Sequence, residues 1–341
     1  MGWNVPRVRG WLRRLAGRVQ RAVVAVARAG LRLLGQVPLG KQIERFVLSR
    51  TWTSRSAAML DRYLVSGYQN PRINVQSILL RHFLIERIGV TDSEELMDRE
   101  LRHATELNEV LRLRAAELGV RMGSYLNPAR NAAVRRVDEA IVDRDGALMQ
   151  PWRDRLASAT AVPVSVLEVA CGSANDYRAF AECGLAARID YRGIDLSEKN
   201  VANARRRFPS VAFDVGDVRD LPFDDEEHDY VVASDVFEHL PISGMERALS
   251  EAMRVARRGL ALTFFNMHEG PEHEVRPTRL YHWNRLSRPL IEERLRRRFP
   301  SIRVVPIAAW LSDRYGYAHS YNPRAYSIFA LRDPDAVDSR R

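Results

Sequence analysis

The chain has 341 residues, 46% of them apolar and 28% charged, with 19 Gly and 16 Pro. That suffices for one large domain or two ordinary ones and excludes a collagen-like, disordered or low-complexity chain. Two cysteines, Cys171 and Cys183, cannot build a disulfide framework or a multi-thiolate zinc site, and they point to a reducing, cytoplasmic setting. The net charge of +10 lies wholly in residues 1–50, where eleven Arg and Lys are set against one acid, Glu44. Residues 51–341 balance to zero, so nucleic acid is not the expected partner. All but two of the basic residues, Lys41 and Lys199, are Arg. Such a bias reads as codon composition and weakens any argument from the fork geometry of a single Arg.

Residues 1–40 read as a basic amphipathic helix. Leu12, Leu15, Val19, Ala22, Val23, Val26, Leu33 and Val37 fall on one side of a helical template, and Arg14, Arg18, Arg21, Arg28 and Arg32 form a stripe on another. The uncharged run Ala22–Ala27 is far short of the ~20 residues a spanning helix needs. Arg28 and Arg32 interrupt a secretory signal, and the lack of Ser before Ser49 counts against a transit peptide. With Trp3 and Trp11 near its start, the segment suits the surface of an anionic membrane. Packing on its own domain or on a partner, or an RNA contact, would use the same pattern.

Residues 41–155 read as a helical region. Thr91 and Glu94 have the spacing of a capping box, and Met97, Leu101, Ala104, Leu107, Leu111 and Leu118 recur at helical intervals after them. Gln69-Asn70-Pro71-Arg72 reads as a turn, and Asn127-Pro128 as a further helix start. A helical cap, or a region for substrate or partner, fits this pattern.

From about residue 156 short apolar runs alternate with amphipathic stretches. The runs are Val164–Ala170, Tyr191–Ile194, Val211–Val215, Tyr230–Ala233, Leu260–Phe265, Ile302–Ile307 and Tyr326–Leu331. Helices are predicted at Tyr177–Cys183, Ser197–Phe208, Met245–Ala256 and Ser287–Phe299. The alternation implies a parallel α/β sheet with helices on both faces, whose ligands sit beyond the carboxyl ends of the strands. The first run ends in Glu168-Val169-Ala170-Cys171-Gly172-Ser173-Ala174-Asn175, where small residues permit a sharp turn. The second ends at Asp195, the third at Asp217 and the fourth in Ser234-Asp235-Val236-Phe237-Glu238-His239-Leu240-Pro241.

In this order and spacing, VLEVACGSAND, GIDLSEKNV, VGDVRDLPF and DYVVASDVFEHLP resemble the class I S-adenosylmethionine-dependent methyltransferases, especially their broad small-molecule group. The resemblance covers about residues 160–332 and implies a Rossmann-like methyltransferase domain over 156–333, with a short tail at 334–341. It implies S-adenosyl-L-methionine as cofactor. Glu168 would support the loop; Ala170, Gly172 and Ala174 would lie along the methionine part. Asp195 would hold the ribose hydroxyls, with Leu196 on the adenine. Asp217 would accept the adenine amino group, Val218 would complete that contact through its backbone, and Ser234 would line the methionyl end. Two of the loop glycines of the family are Ala170 and Ala174 here.

Cys171, in a tight turn, reads as a small apolar filler rather than a nucleophile. Asp235, Glu238 and His239 would share one face of a helix starting there, and with His268 or His282 they could ligate a metal; a metal-free site is the expected form. Transfer to a hydroxyl needs a base, for which His239 and His268 are the candidates. His282-Trp283-Asn284 and the connection Ala308–Arg324, with Trp310, Tyr315, Tyr317, His319 and Tyr321, are candidate acceptor walls, and the same residues would equally suit a loop packed against the helical region. The expected activity is O-methylation of a small molecule, lipid-linked molecule or glycan near a membrane. Methylation of RNA or protein and a non-catalytic scaffold are the competing classes.

Overall fold

The computed structural model describes residues 74–117, 148–160, 162–278, 281–316 and 322–333. The arginine-striped segment 1–40, the turn at 69–72, the helix start at 127–128, Tyr317, His319, Tyr321 and the tail 334–341 lie outside them.

Seven strands form one sheet: β1 (Val164–Val169), β2 (Ile189–Asp195), β3 (Ala212–Val215), β4 (His228–Ser234), β5 (Ala256–Phe264), β8 (Ser301–Pro306) and β9 (Tyr326–Leu331). Their order is β3-β2-β1-β4-β5-β9-β8. The first five pair in parallel, as the alternation of strand and helix requires. β9 departs from the expected parallel sheet and runs antiparallel to both its neighbours. The reason is the link that precedes it. Pro306, the last residue of β8, pairs with Tyr326, the first of β9, so the chain turns back at one end of the sheet without crossing it. Part of that link, read from sequence as a long connection, is a helix at Ile307–Tyr315.

Side chains alternate between the two faces with the period of a strand. Val164 and Val166 of β1 enter one core cluster, and Leu167 and Val169 enter the other. The second face is covered by α5 (Ile242–Val255) and α6 (Arg288–Arg296), whose Met245, Leu249, Ile291 and Leu295 are buried there. The first face takes α3 (Asn175–Cys183), α4 (Glu198–Arg207) and the Ile307–Tyr315 helix, hereafter α7. It also takes α1 (Val75–Arg87), α2 (Glu94–Glu117) and a helical segment at 148–158, through Ile78, Phe83, Leu101, Trp152 and Leu156. Two two-residue strands, β6 (Met267–His268) and β7 (Leu286–Ser287), pair apart from the main sheet.

α1 is buried along its whole length from Val75 to Ile85. Asn74 caps it, its side-chain oxygen accepting from the backbone N–H of Gln76 at 2.9 Å. Gln76 donates to the carbonyls of Phe264 and Tyr326 at 2.9 and 3.3 Å, tying the helix to the ends of β5 and β9. α2 begins at Glu94, with the carbonyl of Ser93 accepting from Met97 N–H at 3.0 Å. Thr91 therefore lies two residues before the cap, and the capping box expected at Thr91 and Glu94 does not form.

Candidate functional site

The loop after β1 is built from left-handed residues. Ala170, Gly172 and Ala174 have φ of 56°, 56° and 62°. A Cβ in that region costs about 1–2 kcal/mol, so only the first and third positions carry strain. The turn is held by Cys171 N–H on the carbonyl of Ile194 and Ala174 N–H on the carbonyl of Cys171, both at 3.0 Å. A Cβ built on Gly172 would meet nothing within 4 Å. The loop thus leaves open space beside its central residue. Cys171 is buried, and burial followed by the charge of Glu168 pushes its thiol far above the ordinary range, so it stays protonated. Close packing explains it: a Cβ on Gly193 would come within 2.9 Å of its Sγ.

Asp195, 8% exposed, ties the two first loops together. Its Oδ2 accepts from Gly172 N–H at 2.9 Å, and its Oδ1 accepts from Ser197 N–H at 2.8 Å and the Asn200 amide at 3.1 Å. Leu196, the next residue, is 67% exposed, an apolar side chain with most of its surface uncovered. Glu168 is buried and accepts from the Tyr191 hydroxyl at 2.6 Å. Burial, then the charge of Asp176, raises its carboxyl well above the usual range.

Asp217 and buried Val218 follow β3. The Asp217 carboxylate is clamped by Arg219, whose Nε donates to both oxygens at 2.9 and 3.1 Å and whose Nη2 donates to Oδ2 at 2.5 Å. That hydrogen-bonded guanidinium holds the carboxyl below its ordinary range. Ser234, at the end of β4, donates to Asp176 Oδ2 at 2.9 Å, while Ser77 of α1 donates to Oδ1 at 2.5 Å. Sequence reasoning singled out neither Asp176 nor Ser77 for the site. Asp176 stands directly behind the small-residue loop, but Ser77 is 99 residues away from it and has no local signal.

The run after β4 differs from the helix expected there. Asp235 is left-handed at φ 52°, Phe237–His239 is a single 3-10 turn, and α5 begins only after Pro241. Asp235, Glu238 and His239 therefore do not lie on one face of an α-helix. Asp235 accepts from the Thr263 hydroxyl at 3.5 Å, and Glu238 Oε1 accepts from the N–H groups of Phe265 and Asn266 at 2.7 and 3.3 Å. Burial, then the charge of Asp235, raises Glu238, and its Oε2 is buried without a partner. Burial, then Asp176, raises Asp235 in turn. Among the described residues no three His, Cys, Asp or Glu side chains converge as metal ligands.

The histidines are distinct. His239 contacts the carbonyl of His282 through Nδ1 at 3.1 Å, and burial lowers its basicity before that contact raises it. Its ring is surrounded by Phe265, Tyr281 and Trp283, with centroids 5.3, 5.4 and 5.5 Å away. His268, in β6, accepts from Gly270 N–H through Nδ1 at 3.1 Å, which places its own proton on a buried, unpartnered Nε2. The ring of His239 thus packs among three aromatic side chains. Asn284 fixes this wall: fully buried, it donates to the Leu240 carbonyl at 2.8 Å and accepts from Arg276 N–H at 2.9 Å. Trp310 and Tyr315, the described part of the other candidate wall, have their rings edge to face, and Tyr315 donates to Asp98 of α2 at 2.8 Å.

Residues 166–259 match the model of the methyltransferase-domain family. A probable S-adenosylmethionine-dependent methyltransferase of Mycolicibacterium smegmatis is 37% identical over 94 residues, 28% of this chain and 34% of that protein. The phthiotriol/phenolphthiotriol dimycocerosates methyltransferase of Mycobacterium tuberculosis is 35% identical over 115 residues, 32% and 39% of the two chains. The matched stretch thus spans little more than a third of these relatives' own length. Among solved structures, magnesium protoporphyrin IX methyltransferase from Synechocystis PCC 6803, with bound S-adenosylmethionine, aligns with a TM-score of 0.37 at 20% identity, over 58% of this chain and 83% of that one. The chain carries a class I S-adenosylmethionine-dependent methyltransferase domain on a Rossmann-like sheet. Its cofactor is S-adenosyl-L-methionine, and the open space at Gly172 together with the uncovered Leu196 fits that group.

Proposed function

We propose that the protein methylates an oxygen of a small molecule, a lipid-linked molecule or a glycan, close to a membrane surface. The observation that carries this reading is His239 at the carboxyl end of β4. With Nδ1 donating to the His282 carbonyl, Nε2 keeps its lone pair, and burial keeps the ring neutral at pH 7. A neutral imidazole with a fixed tautomer is the general base that a hydroxyl acceptor needs. Bound S-adenosylmethionine supplies an electrophilic methyl carbon. The chain's residues then have to hold the cofactor, align the acceptor and take its proton.

Ala170, Gly172, Ala174 and Ser234 would flank the methionine part, Asp195 the ribose, and Leu196, Asp217 and Val218 the adenine, with Glu168 behind the loop. Asp195 can serve the ribose by exchanging its Asn200 contact, since its bond to Gly172 occupies only part of Oδ2. Tyr281 and Trp283, about half exposed, form the acceptor wall beside His239. The relative that acts on phthiotriol and phenolphthiotriol dimycocerosates supports a lipid-linked acceptor. The arginine stripe of residues 1–40 supports an anionic membrane as the meeting place, on the cytoplasmic side. Among the described residues no helix is long and apolar enough to cross a membrane.

The test is to incubate the protein and labelled cofactor with lipid, polar small-molecule and RNA fractions of a cell extract, with chelator present. Label in the lipid or polar fraction is expected, and label in RNA alone would overturn the reading. His239→Ala should lower turnover by about 10²–10⁴-fold with S-adenosylhomocysteine binding unchanged.

A further inference from the structure

The carboxylate assigned to the adenine amino group is already occupied. Asp217 accepts from three N–H groups of Arg219: Nε–H, shared between both carboxylate oxygens, Nη2–H on Oδ2, and the backbone N–H on Oδ1 at 2.9 Å. The guanidinium fork engages both oxygens, so a further donor that needs the fork's position on the carboxylate must displace it. The backbone contact belongs to the turn, which Asp220 N–H closes on the carbonyl of Asp217 at 2.9 Å, and it cannot leave without opening that turn. The guanidinium can leave. Its side chain is 42% exposed and that of Asp217 is 31% exposed, and half-exposed ion pairs are weak enough for a ligand to displace. The stem of Arg219 lies along the start of α5, with Cδ 3.4 Å from where a Cβ on Gly244 would stand. Rotation about the end of that stem would free Asp217 without disturbing the helix.

We propose that Arg219 is an affinity-setting residue of the cofactor site: its guanidinium competes with the adenine amino group for Asp217 and must swing away when the nucleoside docks. The proposal rests on Asp217 being the adenine acceptor, and the experiment separates the two. Adenosine, which carries no charge, is titrated by calorimetry into the wild-type protein, Arg219→Met and Asp217→Ala, at about 50 mM and about 500 mM salt. Arg219→Met keeps an unbranched stem against α5 and loses the fork. It should bind adenosine about three- to tenfold more tightly than the wild type. Salt screens the Arg219–Asp217 pair and has no direct effect on a neutral ligand, so wild-type binding should tighten as salt rises while Arg219→Met stays constant. Equal or weaker binding by Arg219→Met, with salt-insensitive wild-type binding, would overturn the proposal and make Arg219 a holder of Asp217. Wild-type affinity in Asp217→Ala would remove the adenine assignment itself. If Arg219→Met fails to fold, the salt series on the wild type still decides the matter.

Discussion

Ala170 and Ala174 place methyl groups on a left-handed backbone, and this has a measurable consequence at the level of single residues. Glycine at either position would relieve about 1–2 kcal/mol of crowding and lose about 0.5–1 kcal/mol to chain entropy. Ala174→Gly should therefore raise the melting temperature slightly, by the equivalent of about 0.5–1 kcal/mol. Gly172→Ala is the informative contrast. Its Cβ would enter open space, so the loss of stability should stay near about 1 kcal/mol, set by φ alone. The same methyl group would stand where the proposed site has the cofactor along the loop. Calorimetry with S-adenosylhomocysteine should show a loss of affinity at least tenfold for Gly172→Ala and little change for Ala174→Gly. Equal affinities would show that the loop does not border the cofactor.

At the scale of elements, α1 belongs to the methyltransferase core. It ties β5 and β9 through Gln76, reaches Asp176 through Ser77, and carries a buried ion pair. Arg81 and His82 both meet Glu100 of α2, and all three are almost fully buried. Burial alone would raise Glu100, but Arg81 and His82 outweigh it and the carboxyl lies below its ordinary value. Arg81→Met strands that carboxylate and should cost about 3–5 kcal/mol in urea unfolding. Adding Glu100→Met should recover most of the loss, because two well-packed apolar side chains replace the pair and burial holds His82 neutral. A double variant as unstable as the single one would show that packing, not the stranded charge, sets the cost.

For the whole molecule, buried titratable groups set a pH profile of stability. Asp235 and Glu238 are raised by burial first, then by neighbouring acids. In the window between their unfolded and folded values the native state holds more protons than the unfolded one, so stability falls as pH rises. His82, His228, His239 and His273 are lowered, burial being the first cause for each, and their contribution is lost as pH falls below about 6.5. Glu238→Gln mimics the protonated acid and removes one raised group. Its melting temperature should gain on the wild type between about pH 4.5 and about pH 8, and parallel curves would refute the assignment. The amino-terminal segment contributes at the same scale. Deleting residues 1–40 should leave cofactor binding intact and move the protein off vesicles of phosphatidylcholine with phosphatidylglycerol. Salt should release the full-length protein only in part, since screening weakens arginines and not an apolar face. Equal partitioning of both forms would show that the segment does not bind the membrane.

The amino-acid sequence by itself determined the strand–helix alternation and the residues that close each strand. Asp195, Asp217 and Ser234 could be picked out as candidates because a short apolar run has a visible end, and ligand sites of parallel sheets lie at such ends. Tertiary structure decided what no local pattern encodes. The reversal of β9 follows from where Pro306 and Tyr326 meet, which is a pairing across the α7 connection. The absence of an α-helix at Asp235, Glu238 and His239 goes with a left-handed Asp235 and a 3-10 turn, where helical spacing had implied a shared face. The tautomer of His239 depends on a carbonyl 43 residues away, and the link from α1 to the residue behind the small-residue loop depends on Ser77 reaching Asp176 over 99 residues. Periodicity records which face a residue is buried on. Hydrogen-bond partners at long separation are chosen only when the faces have packed.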